Sequence, residues 1–577
     1  MTEAERYQIT SNDYADLLIE YNGDMDVFNN YPSGSVNFID QDFAVLHIPE
    51  YNMTQDSISK FGYFSIPTCF GLLFVSQNPS AKVSRQTVAP ESELTGQGVL
   101  VGFIDTGIDY LNPAFIHTDN TSRIVSIWDQ TIESGTYPEG FYYGTEYGRD
   151  RINEALVSPD PLSVVPSMDE LGHGTALAGV AAGSVSFEYG FSGVAPNADF
   201  VIVKLKQAKL YLKQFFLIPE DAVCYQENDV IMGVKYLTQV AEQLNKPLVI
   251  CLGIGTGQSD HTGNRIVSRY LAAAGLNMGN SVIVSAGNEG NRRHHYYGNV
   301  IPPASSDTVF LNVSEDEPGF SMQFRSTSPN QFWIDLYAPT GDFIATIPPP
   351  PHNTLVLTYQ DTSIIVDSHH QEPQTGTQFI VFRIRNPMAG TWRLNIYGNT
   401  GDLAMQFHLW LPIHNFIKED TFFFNSSNNT TITAPGNQTD LVCATAYDPA
   451  NQTLYFFASR GFTITNYPKP DLTAPGVNIL SPSLNNQYVS STGTSISAAY
   501  TAGAAALIME WSIVRGYYPR MNNVIIRRIL QQGASRDPSL TYPNPDWGYG
   551  ILDLEKIDEI LNLLLINAEF CRYTSFL

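Results

Sequence analysis

The sequence is poor in positive charge, and in charge altogether. Its 577 residues include 31 Lys and Arg against 57 Asp and Glu, which gives a formal net charge of -26, and only 15% of the residues are charged. A chain this acidic repels phosphate backbones and anionic lipid headgroups, so we expect no nucleic-acid partner and no membrane partner. The hydrophobic fraction of 43% instead indicates large cores, and the length predicts about two or three domains.

Cysteine is also scarce, and no two cysteines have metal-binding or redox spacing. We therefore expect reduced, mostly buried thiols, without a disulfide framework. The pairs His294-His295 and His369-His370 are poor shared ligands, because adjacent side chains of a regular element point apart. We predict no metal and no cofactor. The five cysteines are Cys69, Cys224, Cys251, Cys443 and Cys571.

The sequence also shows no signal-peptide pattern and no long apolar run. The first residues, MTEAERYQITSNDYADL, are acidic and polar, and they lack the basic and apolar regions of a secretory signal. We also expect no membrane-spanning helix, because no run of about 18 apolar residues stands out. These features predict a protein that is made and kept inside a cell.

Four short motifs lie at the ends of predicted strands or helices. Asp105 follows the apolar strand 99–104, and His173 opens a helix of small residues. Asn288 follows the apolar strand 282–285, and Ser495 opens a second small-residue helix. A serine is a weak nucleophile unless a base takes its proton. Together the four residues supply an acid, a base, an amide donor and a nucleophile, which are the parts that acyl transfer requires.

Each motif alone has an ordinary explanation. Asp105 could cap a turn, Asn288 could be a left-handed turn residue, and Ser495 could be a helix N-cap. Asp-Thr-Gly is also an aspartic-protease signature, but that mechanism needs two carboxylates close together and no second copy occurs. The joint pattern favours a triad.

In this order, Asp-Thr-Gly, His-Gly-Thr, Ala-Gly-Asn and Gly-Thr-Ser-x-Ser-Ala resemble the motifs of the subtilisin-like serine proteases. The resemblance covers residues 95–308 and 436–553. It implies that Asp105 orients the general base His173, that Ser495 is the nucleophile, and that Asn288 donates to the oxyanion. The family usually has Pro where this chain has Ala499. A Pro in a first helical turn donates no hydrogen bond, so we expect its absence to change the chemistry little.

The resemblance also implies where a peptide substrate binds. Leu252, Gly253 and Ile254 would pair with an extended peptide by backbone hydrogen bonds. Ala286 and Gly287 would form the opposite wall of the pocket for the residue before the cleaved bond.

The organisation predicted from the whole chain is an α/β protein with two additions. Strands and helices alternate over residues 99–308, which predicts a parallel sheet with helices on both faces; residues 134–170 are expected to form a long surface loop. Residues 309–435 alternate with period two between turn signals, which predicts an inserted antiparallel β-sandwich, a jelly roll. The catalytic domain, residues 95–308 and 436–553, is then discontinuous, and residues 554–577 form a tail helix.

Residues 1–90 carry none of the four motifs, and by resemblance they are an α+β pro-domain bound in the cleft. A cut within residues 82–93 would then be self-processing. The alternative is a structural N-terminal domain that is never cleaved.

An insert at this position resembles the clostridial Csp germination proteases. That resemblance implies a cytoplasmic or spore-associated serine endopeptidase, which cleaves through an acyl-enzyme and activates another protein by limited proteolysis. We also expect the protein to be a monomer. The alternative is a catalytically silent sensor or binding protein on a protease scaffold. The complete set of triad residues favours the enzyme.

Overall fold

The structure is a computed structural model of the 577-residue chain. It describes residues 1–31, 34–73, 76–78, 93–301, 305–327, 331–349, 352–369, 377–398 and 404–574.

The chain begins with an N-terminal unit, residues 1–78, whose three-stranded antiparallel sheet has β3 in the centre. Leu17 of β1 faces Leu46 of β3, and both side chains are fully buried. The two last strands, β4 and β5, leave this sheet and pair with strands outside the unit. The elements are α1 (Glu3–Thr10), β1 (Tyr14–Glu20), β2 (Ser35–Phe38), β3 (Phe43–Pro49), α2 (Ser57–Phe61), β4 (Cys69–Leu72) and β5 (Ser76–Asn78).

The next segment alternates strands and helices. Its central strands are continuous apolar runs that are buried on both faces, which is typical of a parallel sheet covered by helices. The elements are β6 (Leu100–Asp105), β7 (Ile124–Asp129), β8 (Thr145–Gly148), α3 (Arg149–Val157), α4 (Pro161–Val164), α5 (His173–Ala182), β9 (Asp199–Lys204), α6 (Leu210–Phe216), β10 (Tyr225–Gln226), α7 (Glu227–Leu244), β11 (Leu248–Leu252), β12 (Ile254–Gly255), α8 (Ile266–Leu276) and β13 (Asn280–Ser285).

An insert of two antiparallel sheets follows, with strand orders β14-β23-β16-β21-β20-β19 and β18-β17-β22-β15-β24. The two sheets share one apolar core. The insert begins at His295, earlier than residue 309, because β14 pairs with β23 near its end. Its strands are β14 (His295–Val300), β15 (Ser306–Val313), β16 (Gly319–Thr327), β17 (Phe332–Tyr337), β18 (Phe343–Ile347), β19 (His352–Tyr359), β20 (Thr362–His369), β21 (Thr377–Arg385), β22 (Gly390–Gly398), β23 (Met405–Trp410) and β24 (Phe422–Phe423).

After the insert the chain returns to the first sheet and completes it. The main sheet has the order β26-β25-β13-β11-β6-β9-β7-β8, and β27 pairs with β25. Its edge strands β8 and β26 are antiparallel and its centre is parallel. The elements are β25 (Val442–Asp448), β26 (Thr453–Leu454), β27 (Leu472–Pro475), β28 (Ile479–Pro482), β29 (Tyr488–Thr492), α9 (Thr494–Met509), α10 (Asn523–Gln532) and α11 (Leu554–Thr574).

Helices cover both faces of the main sheet. α5 and α9 belong to one apolar core, and α7 and α8 to the other. The prediction of an α/β fold with a largely parallel sheet between two helical layers is therefore confirmed.

Two statements from the sequence need correction. A run that is long and apolar enough to cross a membrane by composition does occur, in α9 with its extension, Thr494–Val514, but 94% of its apolar window is buried inside the protein. It is the core helix of a folded domain. Residues 134–170 are not one loop, since they contain β8 and the helices α3 and α4. α3 was missed because only Ile152 and Ala155 of its nine residues are buried, too few for a clear period.

Candidate active site

The four motif residues meet at one edge of the main sheet. Asp105 ends β6, and Asn288 lies just after the end of β13. Sites in open α/β sheets gather at the carboxyl ends of the strands. His173 and Ser495 reach the same place on the first turns of α5 and α9, which pack against each other over the sheet.

The structure brings Asp105, His173 and Ser495 into one hydrogen-bonded line. His173 Nδ1 lies 2.6 Å from Asp105 Oδ1, and His173 Nε2 lies 3.2 Å from Ser495 Oγ. All three side chains are buried. A carboxylate only accepts, so the Nδ1–H donates to Asp105 and Nε2 is left to accept the hydroxyl proton. This is the arrangement in which a histidine can act as base toward a serine.

Asp169 fixes the turn that presents His173, and the sequence reading missed it. Asp169 Oδ1 accepts from Thr106 Oγ1 at 2.8 Å, and Asp169 Oδ2 accepts from Thr175 N at 2.9 Å. Thr106 Oγ1 in turn accepts from the backbone N–H of Gly174 at 2.9 Å. Asp169 thus joins the Asp105 turn to the start of α5. An acid just ahead of a helix start was the available signal.

Asn288 is oriented by the residue that precedes the serine. Its Oδ1 accepts from Thr494 N at 3.2 Å and from Thr494 Oγ1 at 3.1 Å. Its buried Nδ2 has no hydrogen-bond partner among the described residues. Ser495 is in the first turn of α9, where backbone N–H groups lack an intrahelical acceptor. An amide donor with no acceptor and the start of a helix suit a developing oxyanion.

The predicted substrate-binding residues lie around this line. Leu252 ends β11, and a Cβ at Gly253 would lie 3.0 Å from His173 Cε1 and 3.2 Å from Ser495 Cβ. Ile254 belongs to β12, which is already paired with β4.

The two residues on the other side, Ala286 and Gly287, are held by Thr433 and Thr494. Ala286 O accepts from Thr433 N at 3.0 Å, and Gly287 N donates to Thr494 Oγ1 at 3.1 Å. Gly287 has φ +105°, and a Cβ there would lie 2.7 Å from Thr433. Both the backbone conformation and the lack of space therefore exclude a side chain at this position.

One of the chain's own N-terminal strands lies beside this site. β4 lies between β10 and β12, and Leu73 N donates to Gly253 O at 3.2 Å. Three residues later β5 begins, where Ser76 pairs with Thr492 of β29. Of the predicted cleavage segment 82–93, only Glu93 lies within the described residues.

The pair His294-His295 has other partners, and His370 of the second pair lies outside the described residues. His294 bonds Glu289, and His295 bonds His408. No group of His, Cys, Asp and Glu suited to a metal ion occurs within the described part of the chain. Cys69, Cys224, Cys251 and Cys443 are free and buried, and burial raises the pKa of the Cys443 thiol to about 12.

Comparison with known proteins gives the family. The Subtilase family model (Peptidase S8) matches residues 96–364 and 398–551. The C5a peptidase of Streptococcus pyogenes is 24% identical over 495 residues, which are 80% of this chain and 40% of that protein. The chain thus spans about 40% of the length of the first curated relatives. Pyrolysin from Pyrococcus furiosus is 33% identical over 127 residues, which are 20% of this chain and 9% of that protein.

Among solved structures, the CspB protease of Clostridium perfringens matches with a TM-score of 0.74 and 29% identity, covering 82% of this chain and 98% of that chain. The chain belongs to the subtilase family of serine-type peptidases.

Proposed function

We propose that the protein is a serine endopeptidase that cleaves its own N-terminal segment and then other peptide chains. The observation that carries the proposal is the line from Asp105 through His173 to Ser495, at 2.6 Å and 3.2 Å. A catalytically silent scaffold would have no need to keep this line buried and aligned beside an amide donor without an acceptor.

The triad and Asn288 supply the proton transfers and the oxyanion donor that acyl transfer requires. His173 Nε2 takes the proton of Ser495 Oγ as the oxygen attacks the peptide carbonyl, and Asp105 stabilises the imidazolium that forms. Asn288 Nδ2 and a backbone N–H of α9 hold the oxyanion. The imidazolium then gives its proton to the leaving amine, which leaves an acyl-enzyme on Ser495. Water, deprotonated by the same histidine, releases the acid.

Two strand pairings support cleavage within the chain's own segment from Leu73 to Ser76. On one side, Leu73 N bonds Gly253, the residue against His173 and Ser495. On the other side, Ser76 pairs with Thr492, three residues before Ser495 in the sequence. Both pairing partners are therefore close to Ser495, Gly253 in space and Thr492 in sequence. We propose a cut between Leu73 and Ser76 as an alternative to a cut within residues 82–93, of which only Glu93 lies within the described residues.

The test is the intact mass of the purified wild type beside Ser495→Ala. We expect two fragments from the wild type, with a new N-terminus within residues 74–76, and a whole Ser495→Ala chain. A whole wild-type chain would contradict self-processing. A cut in both proteins at the same place would assign the cleavage to a contaminating protease.

The resemblance to germination proteases supports a more specific role and a cellular location. We propose that the processed enzyme acts by limited proteolysis on another protein, in the cytoplasm or in the spore. Antibody detection in spores, vegetative cytoplasm and culture medium tests the location, and recovery mainly from the medium would overturn it.

A further inference from the structure

The insert returns to the main sheet through a turn that touches the chain in the cleft. We call residues 411–417 the return turn; it contains the 3-10 turn His414–Phe416. Asn415 Nδ2 donates to Leu72 O of β4 at 2.9 Å. Ile413 and Phe416 are buried in the same apolar cluster as Cys69 of β4. The return turn therefore covers one face of β4, while β10 and β12 pair with its two edges.

The covered face leaves no room for a side chain at Gly71. A Cβ built there would lie 2.6 Å from Ile413 Cδ1 and 3.2 Å from Phe416 Cζ, and ordinary contact begins near 3.4 Å. The backbone of Gly71 lies outside the left-handed region, so its conformation suits any residue. Space alone requires glycine at this position.

The return turn is anchored beside the oxyanion residue. Glu289, which follows Asn288, accepts from His414 N at 3.1 Å and from His414 Nδ1 at 2.8 Å. Its other oxygen bonds His294 Nδ1 at 2.8 Å, at the other end of the insert. Burial alone raises the pKa of Glu289, but the bonds from His294 and His414 hold it well below its usual range. A buried carboxylate thus ties both ends of the insert to the oxyanion loop.

We propose that the return turn is a specificity-determining wall of the substrate cleft, which selects extended segments with glycine at the position of Gly71. That position is two residues before the one that bonds Gly253 O. The inference deepens the proposed function and rests on it, because β4 is taken to lie where the N-terminal side of any substrate lies. The substrate class is then a peptide strand with a glycine at this place.

The test removes and restores a single methyl contact in the full chain. Gly71→Ala adds the Cβ, and Ile413→Val removes the Cδ1 atom that it would meet. Overpacking of this kind should slow self-processing about ten-fold in Gly71→Ala, measured by intact mass during a time course of cell-free synthesis. Ile413→Val in the same chain should restore the rate to within about two-fold of the wild type.

The matched control is Ile417→Val, on the same turn but packed in the core of the insert. It should not rescue Gly71→Ala. A Gly71→Ala chain that processes at the wild-type rate would overturn the proposal, and so would equal rescue by Ile413→Val and Ile417→Val, which would indicate general loosening.

A second measurement tests the proposed wall independently of self-processing. In the Ser495→Ala background, hydrogen exchange should show that Gly71→Ala lowers the protection of the β4 amides about ten-fold, and that Ile413→Val restores it. If the wild type is never processed, the proposed self-cleavage is wrong. The exchange measurement still tests whether the return turn packs against Gly71 as a wall of the cleft. Unchanged protection in Gly71→Ala would overturn the wall even in a chain that processes itself.

Discussion

Lys209 Nζ donates a 2.6 Å hydrogen bond to Asp16 Oδ1, and this buried ion pair joins the N-terminal unit to the main domain. His47 Nδ1 lies 2.7 Å from the same oxygen, and Gln226 Nε2 donates to Asp16 Oδ2 at 2.8 Å. Burial alone raises the pKa of Asp16, but Lys209 and His47 lower it well below its usual range. The carboxylate therefore stays charged at neutral pH, and the pair holds the N-terminal unit in place.

Lys209→Met should release the N-terminal unit. Breaking one side of a buried ion pair leaves an uncompensated charge, which costs about 3 to 5 kcal/mol. We expect the two fragments of the processed variant to separate on size-exclusion chromatography, whereas the wild-type fragments co-elute. Lys418→Met is the control, since its pair with Asp316 at 3.3 Å is exposed. If the Lys209→Met fragments co-elute as the wild-type fragments do, the ion pair between Lys209 and Asp16 does not hold the complex together.

Asn288→Ala should slow self-processing about a hundred- to a thousand-fold, because it removes a donor that acts only when the oxyanion forms. The rate of fragment appearance in cell-free synthesis measures it. Asn291→Ala is the control, since the Asn291 amide bonds Phe456 O away from the triad. A loss of less than about five-fold in Asn288→Ala would remove Asn288 from the oxyanion site.

Asp105→Asn should reduce the processing rate on the order of ten-thousand-fold, because an amide in place of the carboxylate favours the wrong tautomer of His173. The control is Asp109→Asn, the same substitution at a neighbouring residue whose Oδ1 accepts from Leu111 N. We expect it to process at nearly the wild-type rate. Equal losses in both variants would indicate a folding defect in this turn.

Acid should weaken the attachment of the insert through its buried histidines. Burial lowers the pKa of His295 from 6.5 to about 4, and His295 stacks with His408 and Trp410 at 4.9 to 5.2 Å. The unfolded chain then binds more protons between pH 6.5 and about 4, so the free energy of unfolding falls as the pH falls through this window.

His295→Gln should flatten this part of the stability profile, measured by urea unfolding between pH 7 and 4 in the Ser495→Ala background. The carboxylates Asp16 and Glu289 act in a different window, since their pKa values are lowered and their stabilisation is lost only under more acidic conditions. An unchanged slope between pH 6.5 and 4 in His295→Gln would contradict the assignment.

The sequence predicted the parts of the site that lie at the ends of regular elements. Asp105 and Asn288 could be placed because they follow continuous apolar strands, and Ser495 because a small-residue helix begins beside it. Strand alternation likewise indicated β17, whose residues are alternately buried and half-buried.

The contacts that no local pattern encodes could not be predicted. Asp169 acts through Thr106 and Thr175, and only the fold brings the Asp105 turn to α5. The start of the insert at His295 depends on pairing with β23, more than a hundred residues away in the sequence. The position of β4 beside the site depends on strand partners from two separate segments, β10 and β12.

The most direct test of the account is covalent labelling with a fluorophosphonate probe, which reacts with an activated serine, followed by peptide mapping. It is applied to the processed wild type and to Lys209→Met, in which the cleft is opened, with Ser495→Ala and His173→Ala as controls. We predict one label, on Ser495, faster in Lys209→Met than in the wild type and absent from both controls. No label on Ser495 in either chain would contradict the claim that His173 activates it.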